Sequence, residues 1–155
     1  MEYTNTSLLL DAGNGKEITV GGSKLYVKLL SEQTNNRMTI TEYILSPKFP
    51  GPPPHKHKTF EHAWYVLEGT LAVQLDEKET VITEGGFVFI PKRVVHAFSN
   101  KSEAVVRLLA IDTPGGFEKY YDELQAAFGD GKAIDQGIMR DIQLRYDTYP
   151  PDHVF

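Results

Sequence analysis

Short apolar runs recur through the first two-thirds of the chain. They lie at Lys24–Leu30, Met38–Leu45, His62–Leu67, Leu71–Leu75, Thr80–Thr83, Phe87–Ile90, Val95–Ser99 and Val105–Ile111. Turn-forming pairs separate them: Gly21-Gly22, Asn35-Asn36, Glu68-Gly69, Asp76-Glu77 and Gly85-Gly86. Strand-like runs at a spacing of roughly 8–12 residues predict a sandwich or barrel. Leu71, Val73 and Leu75 alternate with Ala72 and Gln74, the period of a strand with one face turned inward. Residues 1–20 are polar, with a short apolar patch, and read as a loose arm or an edge strand.

The period changes after Asp112. Pro114 suits a first helical turn. Phe117, Tyr120, Tyr121, Leu124 and Phe128 then form one apolar helical stripe, ended by Gly129 and Gly131. A weaker helical pattern over Ile134–Arg145 places Ile134, Ile138 and Ile142 on one face. The tail from Tyr149 through Pro150 and Pro151 reads as extended or loose. The expectation is a mainly β protein with one or two C-terminal helices.

The length of 155 residues fits one domain, with a barrel core over about 24–112 and a helical extension over about 114–146. A domain of this size buries enough surface to fold without a metal or a disulfide, so a metal here would be functional. The net charge is −5 and no basic run occurs, which argues against a nucleic-acid partner. The absence of cysteine excludes disulfides, thiolate ligands and a cysteine nucleophile. Near the N-terminus the only apolar run is Leu8–Leu10, too short for a signal peptide or a membrane span. A cytoplasmic protein without a membrane partner is expected.

Four of the five histidines fall in two windows: His55, His57 and His62, then His96. Residues two apart on a strand point to the same face, roughly 7 Å apart, so His55 and His57 can converge on one ion. Pro52-Pro53-Pro54 stiffens the approach to them. A histidine pair taken alone is also compatible with exposed or hydrogen-bonded side chains.

The surroundings of these histidines add to the reading. The first stretch runs His55-Lys-His57-Lys-Thr-Phe-Glu61-His62 to Gly69, and the second runs from Gly85 through Pro91 and His96 to Asn100. Together they resemble the two motifs of the cupin superfamily, in order and spacing, over about residues 24–112. The resemblance implies a jelly-roll barrel holding one divalent transition metal: iron, manganese, nickel, copper or zinc. Three departures stand out. Phe49 sits where the first motif opens on glycine, with Gly51 nearby, and Arg93 replaces the glycine of the second motif's turn. The third ligand of the first motif, commonly glutamate, falls here on Glu61 or His62. Counting forward from His57 admits both; counting back from the Gly69 hairpin, which sets the strand register, selects His62. The expected ligands are therefore His55, His57, His62 and His96. Glu61 either orients an imidazole, and so takes part in catalysis, or is a solvated charge on the outer face.

Trp64, Tyr65, Phe87, Phe89 and Phe98 lie near the motifs and either line a ligand pocket or pack the core. Asn100 reads as a turn-stabilising residue. The segment from Asp112 through Pro114 to Phe117-Glu118 is similar to small bacterial cupins of the quercetin-dioxygenase-like kind. That resemblance implies an oxidoreductase, a metal-dependent dioxygenase using dioxygen on a small oxygen-bearing, aromatic substrate. It also implies a homodimer. A non-redox metal isomerase or lyase, and a non-catalytic small-molecule-binding cupin, are the alternatives the same residues allow.

Overall fold

The structure, a computed structural model, describes residues 6–21, 23–129 and 131–155. In chain order the strands are β1 (Lys16–Val20), β2 (Ser23–Leu29), β3 (Thr39–Leu45), β4 (Lys56–His57), β5 (Glu61–Glu68) and β6 (Thr70–Leu75). They continue with β7 (Lys78–Thr83), β8 (Phe87–Ile90), β9 (His96–Ser99), β10 (Val106–Thr113) and β11 (Thr148–Tyr149). Helices α1 (Glu118–Phe128) and α2 (Gln136–Arg145) separate the last two strands. One sheet has the order β1-β2-β3-β10-β5-β8, a second has β7-β6-β9, and β4 pairs with β11. Every strand pair is antiparallel.

Period-two burial builds the interior. In β10, Val106, Leu108, Ala110 and Asp112 are buried, and the residues between them only partly so. In β5, His62, Trp64 and Val66 face the same way. The apolar members of these faces join Leu71, Val73 and Ile90 in one core between the facing sheets, a jelly-roll barrel. Full burial of each large aliphatic side chain contributes roughly 1.5–3 kcal/mol. Strand periodicity thus delivers two polar groups, His62 and Asp112, to positions that the same pattern elsewhere fills with hydrocarbon.

The expected strands are present, and β1 is an edge strand of the larger sheet. Part of the N-terminal arm, residues 1–5, lies outside the described residues. The first helix begins at Glu118 and not near Pro114, because Gly115 and Gly116 intervene. Its buried side chains Tyr120 and Leu124 pack with Phe117 and Ile142 in a second cluster. The expected Ile134–Ile138–Ile142 face is only partly used: Ile134 and Ile138 are exposed, and Met139 and Tyr146 pack beside Ile142 instead.

Two polar anchors fix the ends of the barrel. The buried Glu118 carboxylate accepts hydrogen bonds from the Ser31 N–H, the Ser31 and Thr39 hydroxyls and the Gly116 N–H. It fastens α1 to β3 and to the turn at Ser31–Thr34. Asn100 is a turn anchor: its amide donates to the Leu45, Ser46 and Ala104 carbonyls. Its oxygen accepts from the Ser102 N–H and hydroxyl. Gly51 has a φ of +74°, and a Cβ there would lie 1.7 Å from the Phe98 carbonyl oxygen, so glycine is required where the polyproline segment crosses β9.

Candidate metal centre

Three β contacts carry the histidines to one place. His55 and His96 face each other across an antiparallel bridge: the His55 N–H donates to the His96 carbonyl (3.0 Å) and the reverse bond is 2.8 Å. His57 ends β4, where Thr148 of β11 is its pairing partner. His62 lies on β5 directly opposite Asp112 of β10. Ring nitrogens of His55, His57 and His96 lie within 4.8 Å of one another, and these three residues form a candidate metal site. That spread is close to one coordination sphere, in which opposed nitrogens sit roughly 4 Å apart. The His62 ring centroid is 4.7 Å from that of His57 and 5.3 Å from that of His96.

The hydrogen bonds of these rings fix their tautomers. Nδ1 faces the Pro53 carbonyl in His55 (2.9 Å), the Asp147 carbonyl in His57 (2.9 Å) and the Val94 carbonyl in His96 (3.0 Å). A carbonyl only accepts, so each Nδ1 carries the hydrogen and each Nε2 keeps its lone pair. In His62, Nδ1 lies 2.6 Å from the Asp112 carboxylate, which imposes the same tautomer. Oriented imidazoles with backbone or carboxylate acceptors behind them are what a metal site requires. His57 Nε2 is buried without a hydrogen-bond partner, as is the second oxygen of Asp112. A buried nitrogen lone pair left unpaired costs free energy, which a cation on Nε2 would recover. The residues fit a divalent transition metal on neutral nitrogen donors.

Burial keeps the His55, His57 and His96 rings uncharged. Burial lowers the pKa of His55 from 6.5 to about 4, against a raising effect of its Pro53 hydrogen bond. Burial, then the neighbouring His62, His55 and His96 rings, push His57 far below its ordinary range. Burial, with His55 and His62, takes His96 down to about 2. Neutral imidazoles are the ligating form.

A cavity of about 480 Å³ opens over the cluster, bounded by His55, His62 and His96 on the barrel side and by Met139, Gln143 and Thr148 on the extension side. Trp64 and Phe98 belong to its aromatic wall, together with Phe117. Tyr65, Phe87 and Phe89 do not: they are 45%, 61% and 52% exposed on the outer face beside the edge strand β8. Within the cavity wall the Tyr43 and Tyr121 hydroxyls are 2.7 Å apart. Burial, reinforced by nearby Asp112, holds both phenols protonated, with pKa values well above the ordinary 10. One bond between two hydroxyls uses one hydrogen and leaves the other to be donated.

Glu61 lies on the face of β5 away from His62, because their positions are consecutive in the strand. The carboxylate placed against an imidazole is instead Asp112. The inward alternation of β10 carried its signal, one residue beyond the expected strand end at Ile111. Asp147, which holds His57, has no comparable signal in the sequence. Arg93 adopts a φ of +72°, which explains why a glycine is usual at this turn; its N–H donates to the His57 carbonyl at 2.7 Å.

Fold and histidine geometry together describe a jelly-roll barrel with a candidate metal site at one end. The cupin domain family matches residues 41–112. Quercetin 2,3-dioxygenase from Bacillus subtilis (strain 168) is 23% identical over 116 residues, 75% of this chain and 34% of that protein. The polyketide cyclase RemF from Streptomyces resistomycificus superposes with a TM-score of 0.61 at 23% identity, over 70% of this chain and 80% of its own. An RmlC-like cupin from Shewanella frigidimarina NCIMB 400 gives a TM-score of 0.62 at 19% identity, over 74% and 96%. Residues 41–112 are a cupin domain. The chain spans 34% to 50% of the length of the curated relatives it matches.

Proposed function

We propose that this cupin is a metal-dependent, dioxygenase-like oxidoreductase acting on a small oxygen-bearing aromatic substrate, its metal held by His55, His57, His62 and His96. The observation that carries the reading is the common orientation of the four imidazoles: each commits Nδ1 to a protein acceptor, and His55, His62 and His96 also line an aromatic cavity. A metal held there would supply Lewis acidity toward a substrate oxygen and would allow dioxygen chemistry. Four neutral imidazoles would leave its charge unneutralised, which favours an anionic enolate or phenolate oxygen. Trp64, Phe98 and Phe117 supply flat apolar walls for a ring, and the spare hydrogen of the Tyr43–Tyr121 pair is available to a ligand oxygen. The distant likeness to quercetin 2,3-dioxygenase is consistent with this chemistry.

A second reading is a non-redox isomerase or lyase working through the same site. It is supported by the all-nitrogen donor set, which suits zinc as well as a redox-active metal. Metal content per chain, measured by plasma mass spectrometry on wild type and His62→Ala, is the first test. Near-stoichiometric iron, copper, nickel or manganese in the wild type, and much less in the variant, is expected. Oxygen uptake with a flavonol or β-diketone then supports the dioxygenase, whereas turnover that persists without oxygen and with zinc supports the second reading. A wild type that refuses every metal leaves a small-molecule-binding cupin.

We also propose a homodimer, supported by the exposed Tyr65, Phe87 and Phe89 on one sheet face. Light scattering should give twice the chain mass, and Phe87→Lys with Phe89→Lys should give the monomer. No helix among the described residues is long and apolar enough to cross a membrane. That observation is compatible with the cytoplasmic location that we propose.

A further inference from the structure

Resting on the metal-holding role proposed above, we infer that Asp147 is a positioning residue for His57, and that the C-terminal tail thereby completes the ligand set. His55, His62 and His96 face partners within residues 53–112: Pro53, Asp112 and Val94. His57 differs. Its strand is two residues long and pairs with β11, outside both barrel sheets. That tail lies beyond the residues matched by the cupin family.

Two interactions of Asp147 meet on either side of His57. Its backbone carbonyl takes the His57 Nδ1 hydrogen at 2.9 Å, which sets the ring's rotation and tautomer. Its carboxylate accepts the N–H groups of Lys58 (3.0 Å), Thr59 (2.7 Å) and Phe60 (3.1 Å), the three residues that follow His57. Hydrogen bonds to an ionised acceptor are the stronger kind, so the turn after His57 is fastened by charge-assisted bonds. Asp147 achieves both with a φ of +57°, a left-handed conformation that Asp and Asn tolerate better than other side chains.

The tail is itself tied down. The Tyr146 hydroxyl donates to Glu123 of α1 at 2.7 Å, Arg145 pairs with the same carboxylate at 2.9 Å, and Lys56 Nζ donates to the Pro151 carbonyl at 2.7 Å. Asp147 therefore refers the His57 ring to the helical extension, while the Arg93 N–H holds the His57 carbonyl from the barrel side.

The test uses the full chain, with Co(II) as the probe metal. Asp147→Gly keeps the left-handed backbone and the carbonyl but removes the carboxylate, and Asp147→Asn keeps one acceptor oxygen. Wild type should bind Co(II) with a tetrahedral or five-coordinate visible spectrum, Asp147→Gly should bind about 10–100-fold more weakly, and Asp147→Asn should fall between. Long-range proton–nitrogen NMR of the metal-free proteins reads the rings directly. His57 should be protonated at Nδ1 in the wild type and averaged between tautomers in Asp147→Gly, with His62 unchanged in both. Wild-type affinity and an unchanged His57 ring in Asp147→Gly overturn the inference, even if that variant melts earlier. Should Asp147→Gly fail to fold, Asp147→Asn carries both readouts, and no change in either overturns it. A wild type that binds no Co(II) removes the metal-holding role and the inference's link to it. The ring signals still decide whether Asp147 orients His57.

Discussion

His62 donates its Nδ1 hydrogen to a carboxylate that the barrel supplies, whereas His57 donates to a carbonyl that the tail supplies. Asp112 is the cross-strand neighbour of His62, within the residues matched by the cupin family. Asp147 lies 90 residues from His57 and outside that match. Both arrangements commit Nδ1 of the ring to a protein acceptor. The first follows from strand register alone, because pairing β5 with β10 brings the two side chains together without further interactions. The second has no barrel register behind it and depends on a separate set of hydrogen bonds at the turn after His57. The two halves of the site should therefore fail under different perturbations.

Acid should have the largest effect and should act on the cluster as a whole. The folded-state pKa values of His55, His57 and His96 lie below the ordinary 6.5, so the unfolded chain takes up protons first as the pH falls. The metal-free protein should be most stable above pH 6.5 and lose stability as the pH falls from there, down to about 4 for His55 and about 2 for His96. At pH 5 each buried imidazole should contribute a loss of about 1–2 kcal/mol. Urea titrations at pH 7.5, 6 and 5 check this, and bound metal should shift the loss to lower pH.

Glu118→Ala should come next, and it strikes the tail-supported half. Hydrogen bonds to a charged group contribute roughly 1.5–3 kcal/mol, and Glu118 accepts several, so a loss of about 3 kcal/mol is expected. Chemical denaturation measures it. Hydrogen exchange should show faster opening of α1 and the tail, with β5 and β10 still protected.

Asp112→Asn strikes the barrel-supported half. Its amide can still accept from His62 Nδ1–H, but its NH₂ then takes the buried position where the second carboxylate oxygen has no partner. A loss of about 1–3 kcal/mol is expected in the same denaturation assay. Metal affinity should fall by about tenfold while the His57 ring signals stay unchanged.

Arg93→Gly should have the smallest effect. It relieves a left-handed conformation worth about 1 kcal/mol. It also removes the guanidinium that sits 5.7 Å from the Phe155 ring centroid. The two changes oppose each other, and the melting temperature should move by only a degree or two.

Much of the barrel was legible because strand burial repeats every second residue and turn-forming pairs punctuate it. The histidine cluster was legible because His55 and His57 are neighbours and the Gly69 hairpin sets the register of His62. Asp112 was nearly legible: Val106, Leu108 and Ala110 point to it, but a charged residue at the end of an apolar run reads as the end of the strand. Glu118 was hidden because an acid in a first helical turn ordinarily serves the helix dipole, and here it is buried against Ser31 and Thr39. Asp147 was hidden more deeply. Its contacts join segments about 90 residues apart, and no local periodicity marks a single aspartate between a helix and a proline-rich end.

The distance between His57 and Asp147 along the chain also orders events during synthesis. A chain grows from its N-terminus at roughly 5–20 residues per second, and contacts of large sequence separation close late. The barrel strands, ending at Thr113, leave the ribosome well before residue 147 does. For several seconds the nascent protein thus holds His55, His62 and His96 with their partners already made, while His57 still lacks its acceptor. The last of these hydrogen bonds closes only after residue 147 has emerged.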